Sequence, residues 1–187
     1  MACSEHEILL HQPMEPFRPD IDPGPGAVYT NFSATRIQDT IRSNLHQINA
    51  ASGVNNHMGS KFTANREKVE EALEAIRQDG LFFIDSLTTP RSVAYKIAKK
   101  LHMSAGHRNV FLDCRPTSGA TVREMKRLVA VATRWGKAIG IGHPFATTLQ
   151  GIKQFLSAYP GLCAQIEFVS VSRLITGAKQ LRKDHEK

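Results

Sequence analysis

The sequence predicts an α/β protein built on a parallel sheet, and two observations carry that prediction. Short apolar runs alternate with longer amphipathic stretches along nearly the whole chain. The short runs are almost continuous in apolar or small residues, as strands read when both faces of a sheet are covered. Strand–helix–strand repetition of this kind joins parallel strands by right-handed crossovers.

The predicted strands cover residues 8–10, 53–55, 81–84, 110–112, 138–142 and 166–171. Five helices lie between or after them. Ser33 is placed to N-cap the first, which carries Ile37, Ile41, Leu45 and Ile48 on one face. Thr63 is the expected cap of the second, with Val69, Leu73 and Ile76 inward and Gly80 as its stop. Pro90 suits the first turn of a third helix bearing Val93, Ile97 and Leu101. A fourth spans 121–135, with Val122, Met125, Val129 and Ala132 inward and Gly136 ending it. A fifth spans 147–158, with Leu149, Ile152, Phe155 and Leu156. One long irregular segment, 12–31, holds five prolines. A loop of that length in a compact domain is usually functional or mobile. No boundary interrupts the pattern, so a single domain over 1–178 is expected, followed by a charged tail, 179–187.

Composition excludes several classes. With 187 residues, 41% hydrophobic and 22% charged, the chain is too apolar for intrinsic disorder and long enough to bury a core. Its longest clean apolar run is Leu128 to Ala132, far below the roughly 20 residues of a membrane span. Cys3, Cys114 and Cys163 are odd in number and widely spaced, which gives no disulfide framework and no Cys/His zinc ribbon. The first residues lack the basic start and apolar stretch of a signal peptide, so the chain as written is expected to be cytoplasmic.

The net charge of +7 is uneven: −5 over 1–90, +9 over 91–137 and +3 over 138–187. Lys96, Lys99, Lys100, Arg123, Lys126, Arg127 and Arg134 fall mostly opposite the apolar stripes of two helices, as on a solvated face. No aromatic residues are interleaved to stack on bases, and no nucleic-acid partner is expected. The phosphate-binding loop, the nucleophile elbow, GxGxxG and HExxH are all absent. Cys114 has nothing in its sequence surroundings to mark it as a nucleophile.

The informative feature is what ends each strand. The runs close on His11, His57, Asp85, Asp113 and His143, the last four spaced by 28, 28 and 30 residues. In parallel β/α folds the carboxyl ends of the strands share one rim, where ligand and catalytic groups gather. Three imidazoles and two carboxylates suit a divalent metal such as zinc. They equally suit general acid–base work near neutral pH. His6, His46, His102, His107 and His185 are read as structural or surface groups, with His102 and His107 at the opposite rim.

The stretches HQPMEP (11–16), DPGPGA (22–27), GVNNHMGSKFT (53–63), GLFFIDSLT (80–88), RNVFLD (108–113) and AIGIGHP (138–144) resemble the divergent polysaccharide deacetylase family. The resemblance runs over about 5–175. It implies a distorted (β/α) barrel of the polysaccharide deacetylase and glycoside hydrolase type. It further implies a metal-dependent hydrolase that removes acetyl groups from N-acetylated polysaccharides or glycans. A divalent metal, zinc, would be held by His11 and His57. Asp85 or Asp113 would act as base or third ligand, and His143 as acid. Glu15, Asn56, Ser60 and Ser86 would hold sugar hydroxyls, Ser60 equally capping the following turn. The alternative is a non-catalytic carbohydrate-binding barrel. Family members carry an earlier strand ending in an Asp-Asp pair, followed by a second strand, and are typically exported. Neither strand precedes His11 here, so the expectation is an N-terminally incomplete barrel of about six strands, with weakened metal binding and a sheet edge open to dimerisation.

Overall fold

A computed structural model describes residues 6–176. The expected tail, 179–187, lies outside the described residues, as does Cys3. Within them the fold is α/β, with parallel strands alternating with helices. Residues 6–107, with 175–176, form one compact unit and residues 108–174 a second.

The first unit contains β1 (Ile8–Met14), α1 (Ala34–His46), β2 (Ala51–Met58), α2 (Arg66–Gln78), β3 (Phe82–Asp85), α3 (Ala94–Lys100) and β4 (Ala105–His107). The strands form a parallel sheet in the order β1-β2-β3-β4. Period-2 alternation divides their residues between two faces. Leu10, Met14, Val54, Phe83 and Ala105 join Ile37, Ile41, Leu45, Val69, Leu73, Ile76 and Ile97 of the helices in one buried cluster. The opposite face therefore carries Leu9, His11 and Pro13 of β1, Gly53, Asn55 and His57 of β2, and Phe82 and Ile84 of β3.

Ser33 caps α1, its side chain accepting from Arg36 N. The expected cap of α2 is corrected. Thr63 sits in a short 3-10 turn, and Asn65 Oδ1 accepts from Lys68 N. Pro90 lies in a turn, and α3 begins only at Ala94. The strand at His11 runs on to Met14 through Pro13, which β1 tolerates because it lies at the sheet's edge. β4 is an addition to the sequence reading. At three residues it is too short to show a period.

The proline-rich segment is tied down at its start. Glu15 N donates to Val28 O and Val28 N to Pro13 O, at 3.0 Å each. The buried Gln12 amide and Asn44 Nδ2 both donate to Gly26 O. Gly26 has φ +72°, and a Cβ there would sit 2.4 Å from Asn44 Oδ1, so only glycine fits without a shift.

The second unit contains β5 (Val110–Phe111), α4 (Ser118–Trp135), β6 (Gly140–Ile141), α5 (Ala146–Ala158), α6 (Pro160–Cys163) and, overlapping its end, α7 (Val171–Thr176). β5 and β6 pair in parallel. Gly136 ends α4 in the left-handed region, as the sequence predicts, but the helix starts three residues earlier than expected, at Ser118, because Thr117 caps it and its side chain accepts from Ala120 N. The strand expected over 166–171 is not formed. Residues 165–170 are irregular and Val171 opens α7, and no strand among the described residues pairs with this run. α4 and α5 approach closely at Gly151. A Cβ at that position would lie 2.5 Å from Thr121 Cβ and 2.6 Å from the Ser118 carbonyl oxygen. Gly151→Ala is therefore expected to destabilise the protein by about 1–3 kcal/mol, read from the midpoint of chemical denaturation.

Candidate functional site

The sheet register builds the site. His11 pairs with Asn55, and Pro13 with His57, so His11, Asn55 and His57 stand side by side on the face away from the helices. His11 is exposed and its Nε2 lies 3.0 Å from His57 Nδ1. The rings meet edge to face with centroids 4.8 Å apart. On its other side, His11 Nδ1 lies 2.9 Å from Asn55 Oδ1, and Asn55 Nδ2 donates to Ser86 Oγ at 3.1 Å. Asn55 is the residue that sequence reasoning missed. Its spacing of two from His57 marks it as the asparagine of the Asn55–Asn56 pair that shares the imidazole's face.

The neighbouring asparagine does a different job. Asn56 is 1% exposed. Its Oδ1 accepts from Ser86 N, its carbonyl accepts from Ser86 Oγ, and its Nδ2 donates to Met58 O, all at 2.8 Å. Asn56 and Ser86 thus lock β2 to the chain leaving β3 and are too buried to meet a sugar hydroxyl. Met58 and Leu87, directly after His57 and Ser86, have φ of 52° and 46°. Left-handed backbone at non-glycine residues persists only where its surroundings over-determine it.

Asp85 does not join the histidines. It follows Ile84 and so points to the helix face, where it is fully buried. Its carboxylate accepts from Leu87 N at 2.8 Å, Ser92 Oγ at 2.7 Å and Tyr95 N at 3.1 Å. Val93 provides no side-chain cap for α3, and Asp85 supplies one from the strand, where a negative charge also suits the helix dipole. The expectation of a base or third ligand at this position is corrected accordingly. His107 is corrected too. It ends β4, pairs in register with Asp85 and packs its ring 4.9 Å from that of Tyr95, at the carboxyl rim and not the opposite one.

Glu15 and Ser60 order the loop after β1. Glu15 accepts from Lys61 Nζ at 2.7 Å and from Thr30 N and Oγ1, while Ser60 Oγ accepts from Phe17 N. Burial by itself would raise the Glu15 pKa, but the bonds from Lys61 and Thr30 outweigh it and hold the carboxyl below its usual value.

In the second unit, Asp113 and His143 are brought together. The Asp113 side chain is 3% exposed. Its Oδ2 accepts from His143 N and from Thr148 Oγ1 and lies 3.0 Å from His143 Nδ1. A carboxylate can only accept, so His143 keeps its proton on Nδ1 and turns Nε2 outward. Phe145 stacks on that ring at 5.3 Å.

The chain belongs to the divergent polysaccharide deacetylase family, whose model matches residues 2–175. It is 33% identical over 154 residues to an uncharacterized protein of Haemophilus influenzae, covering 82% of this chain and 55% of that one. It is 31% identical over 173 residues to the uncharacterized protein YibQ of Escherichia coli, covering 92% and 53%. The chain thus spans about half the length of the curated relatives it matches. The crystal structure of an uncharacterized protein from Agrobacterium tumefaciens superimposes with a TM-score of 0.85 at 32% identity, over 91% of this chain and 69% of that one. No helix among the described residues is long and apolar enough to cross a membrane.

Two outcomes follow from the polar contacts. Asp85→Ala strips a buried carboxylate from three donors and is expected to cost about 3 kcal/mol or more of stability, measured by urea titration. Glu15, with its pKa lowered on folding, contributes stability above its unfolded value that is lost as pH falls through the folded one. Glu15→Gln is expected to lower stability near neutral pH and to flatten the acid limb of the stability–pH curve below about pH 4.3.

Proposed function

We propose that this chain acts as a metal-dependent hydrolase removing acetyl groups from N-acetylated polysaccharides or glycans, with zinc held by His11 and His57. The carrying observation is the convergence of the two imidazoles, with His11 Nε2 and His57 Nδ1 3.0 Å apart. That separation fits two bonds of about 2.0–2.1 Å to a single zinc ion. Family membership supports the substrate class. Bound there, zinc supplies polarisation of an amide carbonyl and acidification of a water. The protein's own groups do the positioning and proton handling. Asn55 orients the His11 ring from behind. Within the second unit, Asp113 holds the His143 proton on Nδ1, and the family resemblance gives that imidazole the role of acid.

A second reading, a carbohydrate-binding domain without hydrolytic chemistry, is favoured by one observation. Among the described residues no group of three His, Cys, Asp or Glu side chains is arranged to hold a metal. Zinc titration of chelator-stripped protein separates the two. The hydrolase reading expects about one ion per chain and acetate release from chitin oligosaccharides or peptidoglycan fragments. His11→Ala or His57→Ala should weaken zinc binding by at least about 100-fold. His143→Ala should cut turnover by about 10²–10⁴ with zinc affinity unchanged. Oligosaccharide binding with neither zinc binding nor acetate release would establish the second reading in place of the first.

A further inference from the structure

The hydrogen bonds beneath His11 have only one consistent polarity, and it starts two residues away from the imidazole. A backbone carbonyl accepts and never donates, so the 2.8 Å contact between Ser86 Oγ and Asn56 O commits the single hydroxyl proton of Ser86. The Ser86 oxygen, 3.1 Å from the Asn55 amide, is then an acceptor. The Asn55 atom facing it must be the amide nitrogen, since the reverse orientation would oppose two acceptors. Asn55 Oδ1 is left turned to His11 Nδ1 at 2.9 Å, and that ring nitrogen must carry the proton. His11 Nε2 is consequently the lone-pair nitrogen, and it is the one 3.0 Å from His57 Nδ1.

We propose that Asn55, clamped by Ser86, is a positioning residue that fixes His11 as the Nδ1–H tautomer and presents its Nε2 lone pair toward His57. The proposal deepens the metal reading and rests on it for its consequence, because a metal-ligating imidazole needs its partner bond on the other nitrogen to fix tautomer and ring orientation. The relay itself consists only of residues of this chain and exists without any ion.

It also explains two residues the substrate reading misplaced. Ser86 is 2% exposed and acts through Asn55, because its proton decides which way the Asn55 amide points. Asn56 supplies the carbonyl that anchors the relay while its side chain accepts the Ser86 N–H. Replacing Ser86 by alanine removes the acceptor that orients Asn55. The amide is then free to turn its nitrogen toward His11 Nδ1 and stabilise the other tautomer. A purely structural Ser86 would alter stability without moving the His11 proton.

The test is long-range ¹H–¹⁵N correlation spectroscopy of the imidazoles in metal-free protein. It is run at about pH 8.5, where an ordinary histidine is neutral, with His11 assigned by its loss in His11→Gln. The expected result is the Nδ1–H pattern for His11 in the wild type, retained in Asn55→Asp, and a tautomer mixture in Ser86→Ala and Asn55→Leu. Zinc affinity should fall by about 10- to 100-fold in the latter two. The Nε2–H pattern in the wild type, or an unchanged His11 pattern in Ser86→Ala, overturns the proposal. If Ser86→Ala does not fold, the contrast between Asn55→Leu and Asn55→Asp decides in its place, and no contrast overturns it. The expected tautomers in a protein that binds no zinc would uphold the relay and sink the metal reading. Tight zinc binding with the opposite tautomer would do the reverse.

Discussion

The pairing of β1 with β2, His11 opposite Asn55, is the constraint on which the rest of the structure depends. With a side-chain period of two, a slip of one residue would turn His11 and His57 into the helices and expel Leu10, Met14 and Val54. The polar contacts of His11 with Asn55 and His57 follow from that register. It is held from behind, by the burial of those apolar residues against α1 and α2 and by the buried Gln12 amide, which donates to Gly26 O while its oxygen accepts from Asn44. The exposed face is positioned by the hidden one. A fully buried leucine or valine is worth about 1.5–3 kcal/mol, more than the net worth of the hydrogen bond between the exposed His11 and the half-buried His57.

The strand ends carry the strain this arrangement entails. Left-handed backbone at Met58 and Leu87 costs about 1–3 kcal/mol at each residue. Dense local bonding offsets it. Met58 O accepts from Asn56 Nδ2 and Thr88 Oγ1, and Leu87 N donates to Asp85. These sharp turns let β2 and β3 stop directly after the residues that matter. Polar residues are dense around them, in the stretches 53–63 and 80–88. Much of that polarity is architectural: Asp85 caps a helix, Asn56 ties two strands together, and Glu15 with Lys61 and Thr30 fastens the loop after β1.

Most of the regular structure was legible in the sequence because it rests on local signals. Ser33 caps α1, Gly136 ends α4, and the inward faces of α1, α2 and α4 follow the 3.6-residue period read from Ile37, Ile41, Val69, Leu73, Met125 and Val129. The misses have physical reasons. Asn65 prevailed over Thr63 as a cap because a 3-10 turn intervenes. β4 has too few residues to show a period. An apolar run at 166–171 remained irregular, since apolarity alone does not supply a strand with a pairing partner.

At the site the division is sharper. The amino-acid sequence by itself determined that His57, Asp85, Asp113 and His143 lie at or just after strand ends, because strand position follows from pattern, whereas His11 falls in the middle of β1, which runs on to Met14. Tertiary structure alone decided where each side chain points and what it meets. It set His11 against His57, drew Asp113 onto His143, turned Asp85 under α3 and brought Asn55 behind His11. Direction in a parallel sheet is fixed by register between strands more than 40 residues apart. Register is decided by the packed core, which no local stretch of sequence contains.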